Sequence, residues 1–118
     1  MENIGYKKLN VYQKANQLVI NIYKITKKYP KLELFGLVSQ IRRASVSVVA
    51  NIVEGWARRT TKDKIRFLYN ARGSLTEVEY YLDLSKQLKY INNKEHEIIN
   101  NLRIEVAKLL NGFIKSIK

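Results

Sequence analysis

Apolar residues recur along this chain at the three- and four-residue intervals of helices, without the alternation of a strand. The densest instance lies between Gly36 and Trp56, where Leu37, Ile41, Val48 and Ile52 mark one face. With about 100° of turn per residue, Gln40, Arg43, Ser47, Asn51 and Glu54 gather on a different, narrow side. Each is an i,i+3 or i,i+4 neighbour of the next, so their side chains can meet in succession. Val46, Val49 and Val53 widen the apolar arc well past one core contact. A helix apolar over about half its circumference is packed on more than one side. The segment is therefore expected to serve both a bundle core and a second interface.

The same spacing predicts three further helices. Val11, Ala15, Leu18, Ile22, Ile25 and Tyr29 set an amphipathic helix over about 9–29, after a short lead-in at residues 1–8. Pro30 ends it, because the residue before proline is pushed out of helical geometry. The second helix is expected over 34–57, closed by Gly55 and the basic pair Arg58-Arg59, which complements the negative helix end. Thr60 and Asp63 resemble a capping box opening the third helix over 61–88. Its inward positions are Ile65, Leu68, Leu75, Val78, Leu82 and Leu88. Gly73, in its middle, suggests a close helix approach or a bend, since glycine there costs about 1 kcal/mol against alanine. Asn92 and Glu95 give a capping signal for the last helix, 93–117, with Ile98, Leu102, Val106, Leu109, Phe113 and Ile117 inward. Four long helices and short turns predict an all-α, antiparallel up-down-up-down four-helix bundle, one domain over residues 1–118.

Charge changes the picture more than composition does. Lysine and arginine number 22 against 10 acids, a net charge of +12 on 118 residues. Such a surplus favours a polyanion partner, although Lys-, Asn- and Ile-rich usage of the kind an AT-rich genome imposes raises lysine by itself. The chain has no cysteine, so disulfides, thiolate catalysis and zinc-thiolate clusters are excluded. That agrees with a reducing compartment. With neither a signal-like start nor an apolar run of spanning length, a cytoplasmic location and no membrane partner are expected.

Candidate chemistry is sparse. The single histidine, His96, lies between Glu95 and Glu97, but no second histidine or cysteine supports it as a base or ligand, and it is expected to be solvated. Glu77 and Glu79 point to different sides of a helix. No phosphate-cradling glycine loop or nucleophile elbow occurs. Neither enzyme activity, metal, cofactor nor small-molecule substrate is expected. Two constellations remain. In the polar stripe, Gln40, Arg43, Ser47, Asn51 and Glu54 could line a ligand pocket, or form a hydrogen-bond network that fixes helix register or subunit contacts. From Trp56 to Arg72, six cations (Arg58, Arg59, Lys62, Lys64, Arg66 and Arg72) face only Asp63, with Trp56 and Tyr69 nearby. Cations neutralise phosphates and aromatic faces stack on unpaired bases, which makes this the candidate nucleic-acid patch. A solvated loop whose aromatics belong to the core is the competing account.

These residues also carry a resemblance. Ser39-Gln40-Ile41-Arg42-Arg43-Ala44, Ser47-Val48, Asn51-Ile52 and Glu54-Gly55 resemble the signature of the four-helix-bundle proteins encoded in intervening sequences of bacterial 23S ribosomal RNA genes. Leu9, Val11-Tyr12-Gln13-Lys14-Ala15, Tyr29-Pro30, Phe67-Leu68 and Ala71-Arg72-Gly73-Ser74-Leu75 with Glu77 extend it in order to about Tyr90. Trp56 stands where that family often has Tyr, and Val53 where Ala is common. The resemblance implies a homo-oligomeric ring, a pentamer, without catalytic activity. It also implies distant kinship with basic, nucleic-acid-binding accessory proteins of diversity-generating retroelements. Self-association and RNA or DNA are the partners expected; a scaffold for another protein is the alternative.

Overall fold

A computed structural model describes residues 5–118; residues 1–4 of the lead-in lie outside the described residues. A 3-10 turn, Gly5–Lys8, leads into four helices: α1 (Asn10–Thr26), α2 (Leu37–Ala57), α3 (Thr61–Gln87) and α4 (Asn93–Ile117). The described residues are all-α. The helices form a closed circuit in which α2 packs most extensively on α3, α1 lies against α2 and α4, and α3 against α4.

Helix ends follow local chemistry. α1 stops at Thr26, earlier than Pro30 requires, because the chain tightens into i,i+3 bonds: Tyr29 N–H donates to Thr26 O at 3.1 Å. A second 3-10 turn, Lys31–Glu33, follows, so Leu34 and Phe35 sit in a turn and not in α2. Glu33 replaces a conventional N-cap. Its Oε1 accepts the Leu37 N–H at 3.0 Å and its Oε2 the Tyr90 hydroxyl at 2.8 Å. Those bonds, the backbone one first, hold the Glu33 carboxyl below its usual range. Thr60 Oγ1 caps α3 by accepting from Asp63 N–H at 3.1 Å. Asn92 and Glu95 complete a reciprocal capping box at α4.

The core is a continuous apolar column. Leu18, Ile22, Ile41, Val48, Ile52, Leu68, Leu82 and Leu110 are wholly buried, each contributing about 1.5–3 kcal/mol over an exposed position. On α4 the buried residues are Ile99, Val106, Leu110 and Ile114, whereas Ile98 is 59% exposed. The phase expected for α4 is thus one residue off at Ile98, Leu109 and Phe113, whereas Val106 is buried as expected. Leu88 is also exposed. Gly73 meets nothing within 4 Å and the close approach falls instead at Gly55, whose added Cβ would stand 3.1 Å from the Lys64 carbonyl oxygen on α3.

Candidate nucleic-acid interface

The three-residue step from α2 to α3 brings several cations to one end of the bundle. Arg58, Arg59, Lys62 and Arg66 are all exposed there. The Arg58 and Arg66 guanidinium carbons lie 4.6 and 4.5 Å from the Phe67 ring centroid. Arg58 also pairs with Glu54, one turn earlier, and Arg66 stands 3.9 Å from Asp63. Stacking on a ring holds a guanidinium through its face, so its edge N–H groups remain able to fork onto a phosphate. Among the described residues, Arg59 and Lys62 have no ion-pair partner. Lys64 differs from these four: half-buried, it donates from Nζ to the Trp56 carbonyl at 2.8 Å and ties α3 back onto α2.

Arg72 does not join that group. It is ten residues past Lys62, about 15 Å along α3, and lies over Tyr69 at 4.6 Å while facing Asn111 Oδ1 of α4 at 3.4 Å. The Lys118 ammonium is 5.5 Å from the same ring. Its bond to the phenol is the leading cause that lowers the Tyr69 pKa from its ordinary value. Arg72, Tyr69 and Lys118 form a second basic group on the α3–α4 side.

Two cations absent from the candidate patch belong at the first end. Tyr6 packs edge-on against Trp56 with centroids 6.3 Å apart, which carries exposed Lys7 and Lys8 to the α2 terminus. Gly5 fits there at φ 50° because a Cβ would come 2.9 Å from the indole. Nothing in a lead-in of eight residues marks where it docks. The aromatic residues are already engaged: Phe67 and Tyr69 carry cations and Trp56 packs on Tyr6. This arrangement suits phosphate contacts better than base stacking.

The polar stripe lies along the α2–α3 seam as one small cluster and scattered local contacts. Ser47 Oγ and Ser74 Oγ are 2.9 Å apart, Asn51 Nδ2 donates to the Ser47 carbonyl at 2.9 Å and to Ser47 Oγ at 3.1 Å, and, apart from these, Gln40 Oε1 accepts from Tyr81 at 3.4 Å. Glu54 turns to Arg58, whereas Arg43 is exposed and, among the described residues, without an ion pair. Arg43 and Glu54 stand eleven residues apart, about 16 Å along the axis, so the five side chains do not form one continuous network; the Ser47–Ser74 and Gln40–Tyr81 contacts join α2 to α3.

His96 is not solvated. Its side chain is largely covered and its Nε2 lies 2.8 Å from Asp83 Oδ1, bridging α4 to α3. Among the described residues no three His, Asp or Glu side chains converge as metal ligands would. None of the four helices is long and apolar enough to cross a membrane.

The outer face of α2 keeps its apolar surplus. Val46 is 43% exposed and Val49 and Val53 are half-buried. On α1 beside it, Ile20 and Tyr23 are exposed, and Arg42 lies 4.5 Å over the Tyr23 ring.

Comparison with known proteins places this geometry among relatives. Residues 7–112 match the family model described as 23S rRNA-intervening sequence protein. A solved structure from Bacteroides thetaiotaomicron, described as a protein with unknown function from the S23 ribosomal protein family, is similar at 32% identity and a TM-score of 0.80. The match covers 89% of this chain and 98% of that one. No curated protein matches.

Proposed function

The chain belongs to the 23S rRNA-intervening sequence protein family, and on that footing we propose that it is a non-catalytic, cytoplasmic subunit that self-associates and binds RNA through its phosphates. The observation that carries the reading is the bundle end where α2 passes into α3. Arg58, Arg59, Lys62 and Arg66 are exposed there with only Glu54 and Asp63 among them, and Lys7 and Lys8 are carried to the same end. Phosphate contacts position a nucleic acid without reading its bases, so the affinity is broad in sequence.

The helices run up-down-up-down. The short turns favour that order, and partners such as Ser47–Ser74 and Gln40–Tyr81 move down α3 as they move up α2. Self-association into a ring, a pentamer by family likeness, covers the outer valines of α2 and pools the basic ends of several copies. A protein scaffold is the second reading, supported by the same exposed apolar face. Fluorescence anisotropy with unrelated RNA duplexes tests the choice. Replacing Arg58, Arg59 and Arg66 by glutamine weakens every duplex to a similar degree if phosphates are the ligand; unchanged affinity refutes the assignment of this end.

A further inference from the structure

We infer that the bundle end formed by the α1–α2 and α3–α4 turns docks on a membrane surface rich in anionic lipid. Leu32 and Phe35 enter the bilayer there, and the lysines around them rest on the headgroups. This end lies about 30 Å, the length of α2, from the Arg58–Arg66 group, so the inference stands apart from RNA binding. The two turns act as one unit: Tyr90 donates its hydroxyl to Glu33 Oε2 at 2.8 Å, and its ring lies 5.2 Å from that of Tyr29. Leu32 is 82% and Phe35 91% exposed, and Leu34 and, on the α3–α4 side, Leu88 are exposed as well. None of the first three is on a loose loop. Glu33 N–H donates to Pro30 O at 2.9 Å, Gly36 N–H to Glu33 O at 3.0 Å, and Glu33 Oε1 accepts from Leu37. Large apolar side chains on a pinned tip mark a contact surface, and they lose little conformational freedom when covered.

The charge around them selects the occupant. Lys27, Lys31, Lys86, Lys89 and Lys94 are exposed in or next to the two turns, and none has an ion-pair partner among the described residues. The acids of the turns are engaged, Glu33 by Leu37 and Tyr90 and Glu95 by Lys28. Asp83 lies on His96, which leaves exposed Glu97, one turn into α4, against the five lysines. Lys28, Lys86 and Lys89 also line one cavity of about 530 Å³ with Tyr90 and Asn93, so cations from both turns converge on one opening. Lys89 holds its place against backbone preference: its φ is 65°, the left-handed position after a helix where glycine is the ordinary residue. A side chain kept at a costly backbone position points to a use for it. RNA offers phosphates but no apolar phase for leucines, and a protein partner would need a socket shaped to this convex tip. An anionic bilayer supplies negative charge and apolar depth without matching shape, and an inserted apolar group beside a basic patch is what such docking takes. It needs no spanning helix, and the lack of a spanning run excludes only a span.

Cosedimentation of the full chain with vesicles tests this, using phosphatidylcholine alone and phosphatidylcholine mixed with phosphatidylglycerol. The wild type is expected to bind the mixed vesicles, and the neutral ones at least about tenfold more weakly. Leu32→Ser/Phe35→Ser should weaken binding to the mixed vesicles at least about tenfold, with circular dichroism and RNA-duplex affinity unchanged. Lys89→Gly, which suits the left-handed backbone better, should raise Tm yet weaken vesicle binding about fivefold. Equal binding to the two vesicles, or a Leu32→Ser/Phe35→Ser protein that binds as wild type, overturns the inference. So does an absence of binding to the mixed vesicles, which assigns the tip to a protein, or a loss of RNA affinity in that variant, which assigns it to nucleic acid.

Discussion

Replacing Gly55 and Gly73 by alanine, one at a time, separates the two roles glycine can play in α2 and α3. At Gly55 a Cβ would stand 3.1 Å from both the Lys64 carbonyl oxygen and Leu68 Cδ2, and 3.2 Å from Leu68 Cγ. The carbonyl belongs to the α3 backbone, so relief requires the two helices to move apart. Overpacking of this kind costs about 1–3 kcal/mol, partly offset by about 1 kcal/mol of helix propensity gained. The net expectation for Gly55→Ala is a loss of up to about 2 kcal/mol. Gly73 has open space on every side within 4 Å, so Gly73→Ala keeps the full gain of about 1 kcal/mol. The variants should differ by about 1–3 kcal/mol, or several degrees in Tm for a chain of this size. Urea unfolding at fixed protein concentration measures the difference. Equal stabilisation by the two substitutions would refute close α2–α3 packing at Gly55.

Thr26→Val removes the oxygen that accepts from Arg42 Nε at 2.9 Å and donates to Ile22 O at 2.7 Å; a loss of about 1–2 kcal/mol is expected in urea unfolding, and no loss would mean that water replaces the contact freely. Glu95 is held below its ordinary pKa of 4.5, chiefly by Lys28 and then by the Asn92 N–H. A depressed folded pKa gives stability that is present above 4.5 and lost as pH falls through the folded value. Glu95→Gln should therefore lower Tm at neutral pH and converge with wild type once the pH has fallen below the folded pKa, where the wild-type Glu95 carboxyl is protonated in the folded and the unfolded chain alike; a difference that persists there would point to packing. A double-mutant cycle on Arg43 and Glu54 should be additive within about 0.5 kcal/mol, as for separated sites, and strong coupling would restore a single stripe network.

Local punctuation was legible in the chain. Thr60–Asp63 and Asn92–Glu95 are caps because their side chains reach only their own helix start, and the apolar positions of α2 needed no partner to be recognised. Tertiary choice was less legible. At Ile98-Ile99, Leu109-Leu110 and Phe113-Ile114, adjacent apolar residues offer two phases, and packing against α1 and α3 selects the second of each for burial. Leu34 and Phe35 read as helix from their hydrophobicity, whereas Glu33 caps α2 three residues later than expected. In the candidate site, the six cations were visible as a run. That Lys64 reaches back to Trp56 depends on how the three-residue step folds α3 onto α2, and that Arg72 joins Lys118 and that Lys7 and Lys8 arrive at the first end depend on contacts between segments distant in sequence.

The most direct test of the phosphate-binding end is the slope of log affinity against log salt for an RNA duplex. Each phosphate contact contributes about 0.7–0.9 to that slope. The account predicts steep salt dependence for the wild type, and a slope shallower by about one unit for each lysine or arginine removed in Arg59→Gln/Lys62→Gln. Binding whose slope those substitutions leave unchanged, or no binding at low salt, would contradict it.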